Sequence, residues 1–409
     1  MALRGTALLV LAGLSSATFA CSSSSDSPGK SSSSSKPSET SDTSAADSCN
    51  PNDPKIPCFK DKAEPCKNPI NTGFPGDDLC LDPPKDGFQL HVGPSDYTDP
   101  DEITKWTLPP GGFPGQGPDI NFCYYMKTPN DTDIYTSEYY AHMRPGSHHY
   151  IMFGVANGNV PDSTGPDSCA ARDAQIAGGA NFLSGATREV QNATMFGDAP
   201  EDTGLGSPIE AHKQLNMNLH FVNITDQPVL EELWVNMIEK PADEVSVIVK
   251  AIEWLGGLTM NIPPHQDQLL QAPSGSCTGP STIPDGVRIL GVTAHMHANT
   301  VRVSMYHQAP GASDKELIFD DFNWSEPTVW LFNSKITNPM PNRDALMSGA
   351  PKSGDFNVGP QDQFTWECQV DNQTDSTLTF SDKAYTGEMC NIFGMYASPK
   401  ATDPWLCYF

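Results

Sequence analysis

The chain has 409 residues, with 24 Lys and Arg against 50 Asp and Glu, and carries a net charge of -26. That balance argues against nucleic acid and against an anionic membrane face as partners. The 37 Pro and 33 Gly suit an all-β protein rich in turns better than a helical one, and the length accommodates two domains.

In chain order, residues 1–20 read as a signal peptide. Arg4 supplies the positive start, and the apolar run Thr6 to Ala20 is too short to span a bilayer. Cys21 follows Ala20 and precedes four serines, which resembles a bacterial lipoprotein processing site, with Thr18 where that pattern prefers leucine. The expectation is a lipidated Cys21 and an exported bacterial lipoprotein at the outer membrane or cell surface, or facing the periplasm. Its only membrane contact would be the lipid anchor. Simple cleavage after Ala20, giving a free secreted protein, is the alternative. Parity favours lipidation, because removing Cys21 from 11 cysteines leaves an even set for disulfides.

Residues 21–47, beyond Cys21, are nearly all Ser, Lys, Thr, Asp, Pro and Ala and cannot bury a core, so they read as a disordered tether. Residues 48–89 form a cysteine-rich segment with Cys49, Cys58, Cys66 and Cys80, whose connectivity spacing does not decide. The absence of C-x-x-C argues against zinc there. From about Leu90 onward short strands alternate with Gly/Pro/Asn/Asp turns: Tyr150 to Phe153, Leu230 to Ile238, Glu244 to Ile252 and Val301 to Tyr306. This pattern predicts two tandem β-sandwiches or jelly rolls, 90–265 and 266–409, with a junction in the stretch Pro263 to Pro284 and no evident internal repeat.

The candidate chemistry lies in histidines. His148 and His149 are adjacent, after Arg144-Pro145-Gly146-Ser147; neighbours on a regular strand face opposite ways, so they share a metal only where the strand starts or bulges. Further on, Leu215, Met217 and Leu219 alternate with Asn216, Asn218 and His220, which places His220 on a polar strand face. His295 and His297 are an i,i+2 pair that projects both imidazoles from one strand face. In Glu388-Met389-Cys390-Asn391-Ile392-Phe393, the side chains of Met389, Asn391 and Phe393 share a face and Cys390 points away. His91, His142, His212, His265 and His307 read as surface side chains or supports. The Asn-x-Thr triplets at Asn130, Asn192, Asn223 and Asn372 match a glycosylation pattern without meaning in a bacterium. No Gly-rich phosphate loop or G-x-S-x-G elbow occurs.

The ordered set HH, lone His, HxH and EMCN over roughly residues 90 to 409 resembles the copper type II, ascorbate-dependent monooxygenases, the family of peptidylglycine α-hydroxylating and dopamine β-monooxygenases. The resemblance implies two jelly-roll domains with one copper ion each, facing across a solvent cleft. His148, His149 and His220 would hold the electron-delivering copper. His295, His297 and Met389 would hold the oxygen-activating one and are the implied catalytic set. Implied disulfides are Cys123–Cys169, Cys368–Cys390 and Cys277–Cys407. The co-substrates would be O2, a small organic molecule and ascorbate or another one-electron donor. At the substrate-binding positions Thr293 stands where peptide-amidating members carry arginine and Phe393 where they carry tyrosine, while Asn391 is kept. Without the guanidinium a substrate carboxylate loses its bidentate partner, so peptidylglycine is not the expected substrate. The competing readings are a copper lipoprotein for storage or delivery and a metal-free surface protein. Zinc is the competing ion, disfavoured by the thioether.

Overall fold

The computed structural model describes residues 66–111, 118–155, 160–169, 181–187, 189–191, 203–273, 277–278, 287–325, 327, 329–332, 356–399 and 404–409. The expected leader, Cys21, the tether, Cys49 and Cys58 lie outside them, as does the Asn192 triplet.

Alternation of apolar and polar residues produces strands almost throughout. The longer ones are β1 (Gly87–Val92), β2 (Asp119–Lys127), β3 (Ile134–Met143), β4 (Ser147–Gly154), β5 (Asn181–Ala186), β6 (Leu205–Ile209), β7 (Gln214–Val222) and β8 (Leu233–Lys240). They continue with β9 (Val247–Gly256), β10 (Gln266–Gln271), β11 (Val287–Met296), β12 (Thr300–Gln308), β13 (Glu316–Asp321), β14 (Gln363–Asn372), β15 (Cys390–Ser398) and β16 (Trp405–Tyr408). A single short α-helix is found among the described residues, Pro100–Lys105, with Asp99 accepting the Asp101 N–H as its cap and proline in its first turn. The all-β sandwich class expected from the sequence is the class observed.

Two sheets pair in the orders β2-β7-β4-β5 and β10-β14-β12-β13, and a long mixed sheet runs β1-β8-β3-β6-β9-β15-β11. The first two orders are the same topology used twice. The relation extends to β1-β8-β3 and β9-β15-β11, so one strand order is used twice along the chain although the residue identities do not repeat. The turns that follow β7 and β14 show it atom by atom. Asn223 donates its amide to the carbonyls of Pro109 and Gln227, and accepts the N–H and hydroxyl of Thr225. Asn372 donates to the Pro263 and Ser376 carbonyls and accepts the N–H and hydroxyl of Thr374. Both asparagines are fully buried. The two Asn-x-Thr triplets are therefore side-chain-closed turns, built because Asn and Thr can replace missing backbone partners.

Two hydrophobic clusters form, one for each sandwich. The strands β9 and β15 contribute to both. Val249, Ala251, Phe393, Met395 and Ala397 pack into the first cluster, and Ile252, Trp254, Cys390, Ile392 and Tyr396 into the second. A strand buried on both faces reads as a near-continuous apolar run, which is how 247–256 reads. Thus β9, which precedes the expected boundary at 265, pairs with β15 from beyond it, and the stretch after Pro263 contains β10 of the second sandwich.

The described part of the cysteine-rich segment carries a Cys66–Cys80 disulfide. It docks on the first sandwich through Asp77, which accepts from Arg144 Nη1 at 2.7 Å, while Arg144 Nε reaches Glu232 Oε2 at 2.8 Å. His142 is buried there and its Nδ1 lies 2.9 Å from the Leu79 carbonyl, and His307 is buried against Asp362. Neither is a surface histidine. His212 and His265 are exposed, opposite Asp131 and Asp375.

Candidate metal centre

Two sheet-to-sheet connections at equivalent places in the repeated topology carry the candidate residues. His148 and His149 open β4 just after the turn from β3, and His295 and His297 lie at the end of β11 and in the turn to β12. His149 pairs directly with His220 on β7, and the β4–β7 register shifts between Ser147 and His149. His148 therefore sits in the bulge that an adjacent pair needs in order to turn both rings the same way. On β7, Leu215, Met217 and Leu219 enter the first core and leave Asn218 and His220 on the opposite, buried polar face. His295 pairs with Asn391 of β15, and His297 lies one residue past the end of β11.

The five rings form one cluster. Ring centroids are 5.1 Å apart for His148–His220, 5.3 Å for His149–His220, 4.6 Å for His149–His295, 5.4 Å for His295–His297 and 5.6 Å for His148–His297. Two trios bring their ligand atoms within 4.8 Å of one another: His148, His149 and His220, and His148, His295 and His297. The resemblance implies two sets held apart across a cleft; here the sets meet, and His148 belongs to both.

All five histidines are buried. Burial first, and the neighbouring imidazoles second, hold His148, His149 and His297 well below the ordinary histidine range, which favours the neutral rings that a metal would need. Nitrogens of this cluster lack hydrogen-bond partners: His148 Nε2, His149 Nδ1, His220 Nδ1 and both of His297, although the Lys383 backbone lies against the last ring. Buried nitrogens of this kind are costly unless something accepts their lone pairs. The opposite nitrogens are oriented: His149 Nε2 lies 3.2 Å from Asn218 Oδ1, and His220 Nε2 lies 2.7 Å from Asp119 Oδ1.

Glu388 organises the second set. Its carboxylate accepts the backbone N–H of His297 at 2.6 Å, of Asn299 at 3.1 Å and of Met389 at 2.8 Å. Burial pushes its pKa up to about 7 against the pull of these bonds. Met389 lines a cavity of about 810 Å³ together with His149, His295, Asn391 and Phe393. Met389, Asn391 and Phe393 thus share the face that alternation assigns them. Asn391 donates toward the Met389 sulfur at 3.6 Å and accepts the Gly256 N–H. Phe393 stacks on Phe182 at 5.2 Å. Thr293 stands opposite Phe393 across β11 and β15, and the two line a crevice of about 20 Å³ beside His295. The charged lining residue of the larger cavity, among those described, is Asp382, which accepts from Asn121 at 3.2 Å.

The disulfides Cys123–Cys169 and Cys368–Cys390 are present. Cys407 is disulfide-bonded, and the Cys277 side chain lies outside the described residues. Sequence reasoning missed Asp119, Asn121, Asp382 and the role of Glu388. Asn218 was visible as a neighbour of His220 on the polar face of its strand; the others carry no local signal.

No family model matches the chain, and no curated protein matches it. Among solved structures, the major capsid protein P2 from Bacteriophage PM2 aligns with a TM-score of 0.29 and 7% identity, covering 71% of this chain and 96% of that one. A likeness this slight carries no functional argument. Among the described residues no helix is long and apolar enough to cross a membrane.

Proposed function

We propose that this protein is a copper-dependent monooxygenase that hydroxylates a C–H bond of a small organic substrate, with O2 and a one-electron donor such as ascorbate. The observation that supports it most is the cluster of five buried imidazoles that converge beside a cavity that also holds a thioether. The donor set fits copper: imidazole suits both oxidation states and a thioether favours Cu(I). His148, His149, His220, His295, His297 and Met389 would hold it, as two ions in the reading the resemblance favours. Bound copper supplies one-electron transfer and oxygen activation; overall, one oxygen atom enters the C–H bond and the other leaves as water, with two electrons and two protons consumed.

The chain's own residues do the rest. The burial of the cluster excludes water from everything except the cavity side, where His149 and His295 are reached. Leu255, Leu258, Phe380 and Phe393 offer the substrate an apolar wall. Asp382 opposes a carboxylate, which agrees with a substrate other than peptidylglycine. The cysteine-anchored, envelope-exported form remains part of the proposal.

A copper storage or delivery protein is the second reading, favoured by the full burial of His220 and His297. Metal analysis and oxygen uptake separate the two. Copper retained together with ascorbate- and substrate-dependent O2 consumption supports the enzyme, copper without turnover supports storage, and absence of copper defeats both.

A further inference from the structure

We propose that Asp119 is a positioning residue that couples the two histidine sets, orienting His220 with one carboxylate oxygen and holding the His297 turn in place with the other. The inference rests on reading the cluster as a metal centre.

Asp119 begins β2, in the first sandwich. Its Oδ1 lies 2.7 Å from His220 Nε2, and its Oδ2 accepts the Ala384 N–H at 2.8 Å. Lys383 Nζ donates to the Asp119 backbone carbonyl. Ala384 belongs to the segment between Phe380 and Glu388 in the second sandwich, and the same segment grips the residues after His297. The Ala384 carbonyl accepts the Ala298 N–H at 3.0 Å, and the Tyr385 carbonyl accepts from Asn299 Nδ2 at 3.2 Å. One hydrogen-bonded path therefore runs from the His220 ring through Asp119 and Ala384 to the backbone beside His297, and it spans the two rings whose centroids stand 5.7 Å apart.

The chemistry of the side chain is specific. An ionised carboxylate only accepts, so His220 must present its Nε2–H to it, which leaves the lone pair on Nδ1. Nδ1 is the His220 nitrogen without a partner. The second oxygen is spent on Ala384, so both interactions require two acceptors at once. Asparagine has the same shape but one acceptor and one donor. If its oxygen stays on Ala384, its amide donates to Nε2 and forces the proton onto Nδ1, which blocks that nitrogen as a ligand. If it turns over, it faces the Ala384 N–H donor to donor. No amide rotamer keeps both.

The test uses full-length protein. In the metal-free wild type, nitrogen NMR of the side chains should show His220 protonated at Nε2, and the Ala384 amide should be protected from exchange. A His220 protonated at Nδ1, or a freely exchanging Ala384 amide, overturns the proposal whatever any variant does. Asp119→Asn should either move the proton to Nδ1 or release the Ala384 amide. It should also weaken copper binding roughly 10- to 100-fold, the usual cost of losing a carboxylate behind a ligand histidine. Retention of the tautomer, the protection and the wild-type affinity together in Asp119→Asn overturns it. Failure of the wild type to bind copper at all, with both NMR results as expected, refutes the metal reading and leaves the orientation of His220 standing.

Discussion

His148 and His297, carried by equivalent sheet-to-sheet turns of the two sandwiches, stand with their ring centroids 5.6 Å apart. The repeated topology thus brings the same turn of each sandwich to one place. His148 is the member common to both candidate trios, whereas His220 belongs to one. Its removal should then be felt twice. His148→Ala is expected to lose more copper than His220→Ala when each is loaded and measured by elemental analysis. Equal losses from the two variants would show that the trios do not share a ligand.

Asp382 carries the formal charge in the cavity wall. A substrate carboxylate placed beside it meets a like charge, which disfavours binding. Asp382→Asn is expected to raise kcat/KM for carboxylate-bearing substrates relative to their neutral amides by roughly tenfold, about 1.4 kcal/mol. An unchanged ratio would place the substrate away from this wall.

The closed turn at Asn372 should be a point of stability rather than of activity. Its amide satisfies the carbonyls of Ile262, Pro263 and Ser376, and its oxygen satisfies Thr374. Asn372→Ala leaves buried groups unpaired at a cost of about 1–3 kcal/mol or more. Urea unfolding measures it, and Asn223→Ala should behave alike because the turn is the same. A Thr374→Val change, which removes only the hydroxyl, should cost less than either.

Glu231 is buried, its Oε1 has no hydrogen-bond partner, and burial pushes its pKa up to about 7. The folded chain then holds a proton that the unfolded chain, near the ordinary value of 4.5, has released. Between these two values the folded state binds more protons, so stability is complete at low pH and is lost as pH rises toward 7. The full loss is on the order of 3 kcal/mol. Glu231→Gln should flatten that part of the stability-pH curve and be the more stable protein above pH 7; a variant whose curve falls as steeply as the wild type's would assign the slope to other groups.

Much of the local structure was readable before any fold. The alternation through Leu215 to His220 separated a core face from a polar one, and the strands at 150, 230, 247 and 301 lie within a few residues of where the pattern placed them. The bulge at His148 was a condition imposed by two adjacent histidines, and it is met. Thr293 was grouped with Asn391 and Phe393; it pairs with Phe393 and shares a crevice with it, while Asn391 and Phe393 line the larger cavity.

The sequence by itself determined the strand content and the kinds of donor atom on offer, because period and side-chain chemistry are properties of neighbouring residues. Only the tertiary structure decided that five histidines spread from 148 to 297 would touch, that Asp119 would stand behind His220, and that Glu388 would gather the His297 and Met389 amides. The repeated topology was hidden for the same reason. A sandwich asks of each strand which face is buried and which carbonyls need a partner, and many different residues meet that demand, so two stretches can share one pairing order without sharing a sequence.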